Sequence, residues 1–241
     1  HAGYRGGGVP LPEGATAPTR SVLDHGADPT GRTDSTAALQ AAVDEGPGTV
    51  FLPPGRYRVD GQVAVTQSGT VLQGAGTGET TLWFTSGDLD FSAHLRFVGQ
   101  PRATLSATLL QDVEAEDTAV VVARGSGLEP GDEVWLGITI TDAFAADHGM
   151  EDHWGFSRGA WRPFFRRTVT AVSPGTDDTE NVVLDVSLPY PLLQRDGARI
   201  DAVEGYLEEV GLTGLSVTNA VDWETAWSRD QVHAVSFDGV R

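Results

Sequence analysis

The stretch Val22–Val43, VLDHGADPTGRTDSTAALQAAV, decides the fold of this chain. Its first half consists of turn-forming and charged residues, among them His25 and Asp28. These two side chains have the chemistry of an active site. They also suit a tight turn, because Asp hydrogen-bonds readily to nearby backbone N–H groups.

The second half of the stretch predicts a short amphipathic helix. Thr33 or Asp34 is a suitable N-cap residue, since either side chain can accept a hydrogen bond from a free backbone N–H. Leu39 and Val43 lie four residues apart and therefore share one narrow apolar face. The glycines and proline of residues 46–48 should end the helix.

Short apolar strands separated by glycine turns follow the helix, with no second long helix between them. Parallel strands normally need long crossovers, but a solenoid avoids them by coiling. The predicted strands are Thr49–Leu52, Tyr57–Val59, Val63–Val65, Thr70–Gly76 and Thr81–Phe84.

An internal similarity also indicates a coil. Val210–Leu215 reads V-x-L-T-G-L and Val235–Val240 reads V-x-F-D-G-V. The two segments begin 25 residues apart, at positions 210 and 235. An offset of this size is typical of repeat architectures, so we interpret the two segments as equivalent positions of successive coils. The alternate apolar side chains would fill a solenoid core.

The middle of the chain lacks this regular spacing of short strands, and it predicts a β-rich insertion over residues 101–205. A polar, aromatic loop from Ala143 to Arg166 is expected inside it. The predicted strands of the insertion are Thr118–Ala123, Asp132–Leu136, Arg167–Val172 and Asn181–Asp185.

Taken together, the N-terminal motifs resemble those of the pectate-lyase-like superfamily of right-handed parallel β-helices. Phage tailspike depolymerases share this opening, and a subgroup of secreted bacterial β-helix proteins shares further segments. The match is close over residues 22–84. The motifs that carry it are His25–Asp28, Gly31–Asp34, Ser35–Gln40, Gly48–Tyr57 and Val71–Gly76.

The resemblance implies an all-β, right-handed parallel β-helix with a short N-terminal capping helix and a β-rich insertion. In this superfamily the helix covers the first coil, so His25 and Asp28 would belong to a turn and not to an active site. We expect an extended segment over 1–20, the capping helix and first coils over 21–100, the insertion over 101–205 and further coils over 206–241. The solenoid is expected to continue beyond Arg241, in a C-terminal remainder or a second chain.

Composition excludes several functions. The net charge of −18 argues against nucleic-acid binding, since no basic surplus exists to displace phosphate counterions. No apolar run is long enough to span a bilayer. All 16 basic residues are Arg, and Cys is absent, which excludes a Lys or thiol nucleophile within this chain.

The segment Asp147–Trp154 is the densest cluster of functional side-chain types. The candidate catalytic residues are His148, Glu151, Asp152, His153 and Arg162, which offer acids, bases and a cation. The His spacing matches no zinc-protease motif, so the metal stays unassigned. A polar loop held by aromatic residues is the structural alternative.

Aromatic and Arg side chains near this segment are the candidate substrate-binding residues. Aromatic rings stack on sugars, and Arg pairs bidentately with the carboxylates of uronates. Intramolecular salt bridges are the alternative for the Arg residues, and a buried helical face is the alternative for the last two Trp residues. The set is Trp154, Arg158, Trp161, Arg166, Trp223 and Trp227.

Together with these residues, the resemblance implies a secreted, carbohydrate-active enzyme, or the N-terminal portion of one, that cleaves an extracellular polysaccharide. The reaction would be β-elimination of a uronate-containing glycan or glycoside hydrolysis. A divalent cation such as calcium is a candidate cofactor, and no cofactor is certain. The alternative is a non-catalytic glycan-binding or tailspike-like β-helix module.

Overall fold

The computed structural model describes residues 19–87, 89, 92–220, 224 and 233–241. The chain divides into two compact units. Unit 1 consists of residues 1–100 and 206–241, and unit 2 consists of residues 101–205. Within the described ranges, no helix is both long and apolar enough to cross a membrane.

Sixteen strands are present in the described residues, and those of unit 1 are β1–β7 and β14–β16. The first seven are β1 (Thr19–Ser21), β2 (Gly48–Leu52), β3 (Gly55–Val59), β4 (Val63–Val65), β5 (Thr70–Gly74), β6 (Thr80–Phe84) and β7 (Ala93–Val98). The last three are β14 (Gly211–Thr213), β15 (Ser216–Asn219) and β16 (His233–Asp238).

The strands of unit 1 form three parallel sheets, ordered β1-β2-β5-β14, β3-β6-β15 and β4-β7-β16. The chain visits the three sheets in turn, so β2–β3–β4, β5–β6–β7 and β14–β15–β16 are three successive coils. This is the predicted parallel β-helix, and the fold class is confirmed.

The core of unit 1 consists of apolar side chains stacked coil upon coil. Val50 pairs with Leu72, and Leu72 pairs with Leu212 in the third coil. Alternate residues of β4, β5 and β6 point inward and are buried, as the strand period requires. The third coil is more open: Phe237 stacks on the buried Phe97 with ring centroids 4.5 Å apart, yet is 52% exposed. The expectation that further coils cover this end stays a prediction.

The interpretation of the internal similarity as stacked equivalents is wrong. Gly211–Thr213 lies in the first sheet and pairs with β5, whereas Val235–Asp238 pairs with β7 in the third sheet. The two segments therefore belong to one coil. They look alike because each ends at a corner glycine: Gly214 lies against Gly74, and Gly239 lies against Gly99.

We expect Gly74→Ala to destabilise unit 1. A methyl group at this position would overlap the carbonyl oxygen of Gly214 and the side chain of Leu215. Overpacking of this kind costs about 1–3 kcal/mol. Gly78→Ala is the matched control, because no atom lies within 4 Å of its added methyl group. Equal denaturation midpoints for the two variants would contradict close packing at this corner.

The turn before the capping helix is organised by the carboxylate of Asp28. It accepts hydrogen bonds from the backbone N–H and hydroxyl groups of both Thr30 and Thr33, and from the N–H of Arg32. The hydrogen bond from the Thr30 hydroxyl and the others together lower the pKa of Asp28 far below its ordinary value. Asp28 thus stabilises the turn before the capping helix, as the resemblance implied.

The capping helix α1 spans Thr36–Asp44 and begins later than predicted. Ser35 occupies the N-cap position, not Thr33 or Asp34, and the Ser35 hydroxyl accepts the N–H of Asp28 at 3.0 Å. Asp34 Oδ1 accepts the N–H groups of Thr36 and Asp60, each at 3.0 Å. One carboxylate therefore joins the start of the helix to the end of β3.

We expect Asp34→Ala to lower the free energy of unfolding by about 1–2 kcal/mol, as for loss of a helix cap. Partial burial raises the pKa of Asp34, but the hydrogen bonds from Thr36 and Asp60 outweigh it and lower the pKa. The stabilisation is therefore present above the ordinary Asp pKa and is lost on acidification. Urea unfolding at neutral and acidic pH tests both points. Asp24→Ala, an exposed Asp nearby, is the control, and an equal loss in that variant would contradict the role of Asp34.

Unit 2 is a six-stranded antiparallel sheet ordered β8-β13-β10-β11-β12-β9. Its two outer strands approach each other, since the N–H of Leu110 donates to the carbonyl of Val121 at 2.9 Å. The sheet therefore curls around its own apolar core. The strands are β8 (Arg102–Thr108), β9 (Ala119–Ala123), β10 (Glu133–Thr139), β11 (Trp161–Pro174), β12 (Thr179–Leu184) and β13 (Arg199–Glu204).

The predicted loop over residues 143–166 is partly wrong. Helix α2 (Asp142–Asp147) occupies its beginning, a 3-10 turn spans Gly155–Ser157, and β11 already starts at Trp161. The irregular part is therefore confined to the residues between α2 and β11.

Candidate functional site

Helix α2 carries the candidate site of unit 2 and is fixed at both ends. At its start, the Thr141 hydroxyl accepts the N–H of Phe144 at 3.0 Å and donates to Asp196, whose carboxylate is buried. At its end, Asp147 forms an ion pair with Arg195. The short 3-10 turn Gln194–Asp196 thus holds the helix by two neighbouring side chains.

Phe144 is the centre of an aromatic group that we call the Phe144 cluster. The ring centroids of its neighbours lie 4.3–6.4 Å from that of Phe144, within the range of favourable aromatic contacts. The cluster consists of Phe144, His148, Trp154, Phe164 and Tyr190.

His148 and Tyr190 form a hydrogen-bonded pair within the cluster. His148 Nδ1 lies 2.6 Å from the carbonyl oxygen of Phe144, which can only accept, so Nδ1 carries a proton. His148 Nε2 lies 2.6 Å from the Tyr190 hydroxyl. In the neutral imidazole Nε2 therefore accepts, and Tyr190 donates. The pair can pass a proton from the tyrosine to the imidazole.

Tyr190 is held in its protonated form. Burial raises the pKa of the Tyr190 hydroxyl, and the negative charges of Asp147 and Asp196 raise it further. The positive charge of Arg195 lowers it in part. The side chain is still 36% exposed, so its hydroxyl can be reached from solvent.

A pocket of about 240 Å³ adjoins the cluster. A β-bulge shapes one wall, because Leu136 pairs with Phe165 while Gly137 pairs with Pro163, which leaves Phe164 unpaired. Bulges commonly re-aim side chains next to functional sites. The lining residues are Ile140, Phe144, Trp154, Ser157, Arg162 and Phe164.

The structure brings three of the predicted site residues together: His148 and Trp154 in the Phe144 cluster, and Arg162 at the pocket. The side chains of Glu151, Asp152 and His153 are exposed on the turn after α2. Within the described residues these three make no side-chain hydrogen bond or ion pair.

The remaining predicted residues have other surroundings. Arg158 pairs with Asp142, and Arg166 pairs with Glu133 at 2.6 Å. These ion pairs are the alternative that the sequence left open for the two Arg residues. The guanidinium of Arg199 lies 4.0 Å from the ring centroid of Trp161. Trp223 and Trp227 lie outside the described residues.

Phe144 and Tyr190 were not predicted as site residues. Tyr190 lies 42 positions after His148, and the chain pattern gives no sign that they meet. The available signal was the sequence Pro189-Tyr190-Pro191, where two prolines restrict the backbone around a polar aromatic residue.

No group of three or more His, Asp or Glu side chains among the described residues could hold a metal ion. The calcium expectation therefore has no candidate site in this part of the chain.

Comparison with known proteins shows similarity to polysaccharide-modifying enzymes. Residues 19–95 match the family model described as rhamnogalacturonase A/epimerase, pectate lyase-like. Alginate lyase 7 of Azotobacter vinelandii is 42% identical over 77 aligned positions, covering 28% of this chain and 9% of that protein. Mannuronan C5-epimerase AlgE5 of the same organism is 29% identical over 171 positions, covering 54% of this chain and 17% of the epimerase. The chain thus spans a small part of these relatives.

Solved structures share the fold at low identity. The gp54 tailspike of Acinetobacter baumannii bacteriophage AP22, in complex with capsular saccharide, has a TM-score of 0.58 and 15% identity, covering 92% of this chain and 32% of that one. Tailspike gp49 of Pseudomonas phage LKA1 has a TM-score of 0.52 and 20% identity, covering 80% of this chain and 34% of that one. The resemblance to pectate-lyase-like and tailspike β-helices is confirmed.

We expect two substitutions to move the pKa of Tyr190 in opposite directions. Arg195→Gln removes a positive charge and should raise the pKa, whereas Asp147→Asn removes a negative charge and should lower it. Tyrosinate absorbance during alkaline titration, taken as the difference from Tyr190→Phe in each background, measures the change. A shift of the same sign in both variants would contradict the arrangement of charges around Tyr190.

Proposed function

We propose that this chain, whose first coils are pectate-lyase-like, is part of an enzyme that acts on a uronate-containing polysaccharide. The reaction would start with removal of the proton next to the uronate carboxylate. The observation that carries the proposal is the His148–Tyr190 pair, whose two rings contact Phe144, a wall of the aromatic pocket that contains Arg162.

Each part of this arrangement has a role in such a reaction. Aromatic walls suit the apolar faces of sugar rings, and Arg162 suits a carboxylate. As Tyr190 takes the substrate proton, its own proton passes to His148 Nε2, and the electron pair moves into the carboxylate to give an enolate. The charge of Arg162 favours that enolate.

The second half of the reaction returns the proton. In β-elimination the C4–O bond breaks, a C=C bond forms, and the leaving oxygen takes a proton from the imidazolium of His148 through Tyr190. In epimerisation a proton returns to the opposite face of the same carbon. One of the two curated relatives described above is a lyase and the other is a C5-epimerase, which supports a shared first step.

Glycoside hydrolysis has less support. Hydrolases generally need two carboxyl groups that flank the scissile bond. The residues that line the described pocket include no Asp or Glu.

The proposal also includes secretion of the protein and coverage of its last coil by further coils.

The second candidate function is a non-catalytic glycan-binding or tailspike-like module. The likeness of the fold to phage tailspikes favours it, since one of them is described in complex with a capsular saccharide. In this case the Phe144 cluster would bind glycan without turnover.

We expect the chain to act on polymannuronate or polygalacturonate, with Tyr190→Phe and His148→Gln each lowering kcat about 100-fold or more. Ultraviolet absorbance detects the new C=C bond of elimination, and proton NMR detects inversion at C5. His233→Gln, an exposed His of unit 1, is the control and should retain activity. Thermal unfolding verifies that each variant is folded.

Three results would count against the proposal. Wild-type rates in both site variants would show that another group moves the proton. New reducing ends without a C=C bond would indicate hydrolysis. Binding without any turnover would favour the second candidate.

A further inference from the structure

Arg162 differs from Arg158, Arg166 and Arg199 because it has no carboxylate partner among the described residues. Arg158 and Arg166 pair with Asp142 and Glu133. Arg199 pairs with Asp201 at 3.0 Å. In a chain with a net charge of −18, an exposed Arg without an acidic partner at an apolar pocket is suited to an anion from outside the chain.

Most of the pocket surface is apolar. Ile140, Phe144, Trp154 and Phe164 form its walls, and Ser157 supplies the one neutral hydroxyl of the lining. That hydroxyl has no partner among the described residues. A sugar that turned several hydroxyl groups toward these walls would lose their hydrogen bonds to water without replacement. The lining therefore suits a sugar residue that carries an apolar substituent.

We propose that the pocket selects an O-acylated uronate residue, an inference that rests on the proposed function. The carboxylate would pair with Arg162, and the acyl methyl group would pack against Phe144 and Phe164. The ester carbonyl would accept a hydrogen bond from Ser157. A 6-deoxy sugar would supply a methyl group, but it would leave both Arg162 and Ser157 without a partner.

The volume agrees with a single sugar residue. At about 240 Å³ the pocket is smaller than the 300–1,000 Å³ of sites for drug-sized ligands, at about the size of one substituted ring. Selection would therefore act on one acylated residue of the polymer and not on a longer acylated segment.

Titration calorimetry with an O-acetylated mannuronate oligosaccharide, before and after alkaline removal of the acetyl groups, tests the proposal. We expect the acetylated sample to bind about tenfold more tightly, for one buried methyl group and one hydrogen bond. Phe164→Ser and Ser157→Ala should each reduce this ratio. Arg162→Gln should weaken both samples by a similar factor, because both carry the carboxylate.

Val186→Ser is the matched control, because it also replaces an exposed apolar residue of unit 2 but does not line the pocket. It should leave the ratio unchanged. Equal affinity of wild type for the two samples would overturn acyl selection while leaving the proposed function intact. Failure to bind either sample would overturn acyl selection, and the proposed function would fall with it only if polygalacturonate were not turned over either.

Discussion

The N-terminal end of unit 1 is anchored by the carboxylate of Asp34, which accepts hydrogen bonds from the first turn of α1 and from the backbone just after β3. Through this contact the helix lies over the first coil, where Leu39 and Val43 join the buried core. Without the helix, the inward side chains of the first coil would face water, and the open strand edges would be available for unwanted pairing. The polar half of Val22–Val43 therefore anchors the helix, and the apolar half covers the first coil, so both halves close the N-terminal end of unit 1.

Much of this fold could be predicted from sequence, because turn residues and strand alternation act locally. The exceptions have physical reasons. The N-cap residue is Ser35 and not Asp34, because the Asp34 carboxylate accepts a hydrogen bond from the N–H of Asp60, which lies far along the chain. The internal similarity was misleading because corner glycines occur in both the first and the third sheet. Strand β13 was missed because Arg199 and Asp201 make its sequence look polar, although Asp201 is buried against Arg199 and Ser106.

The candidate site was predictable as a region but not as an arrangement. The density of His and aromatic residues indicated the segment that contains His148 and Trp154. Their partners come from elsewhere: Tyr190 lies on a different loop, and Phe164 reaches the pocket through a bulge. Spacing along the chain carries no information on such contacts. Nor does it show which Arg residues pair with carboxylates of their own chain and which, like Arg162, have none among the described residues.

Unit 2 interrupts unit 1 between the second and third coils without altering their register. β14 pairs with β5 as if the two were consecutive turns of an uninterrupted solenoid. The points of departure and return adjoin, because a methyl group added at Gly99 would lie 2.9 Å from the backbone nitrogen of Leu207. Such geometry permits insertion and removal of a whole domain. Unit 2 could therefore be replaced by another domain during evolution, which would change the candidate site while the coils of unit 1 stay the same.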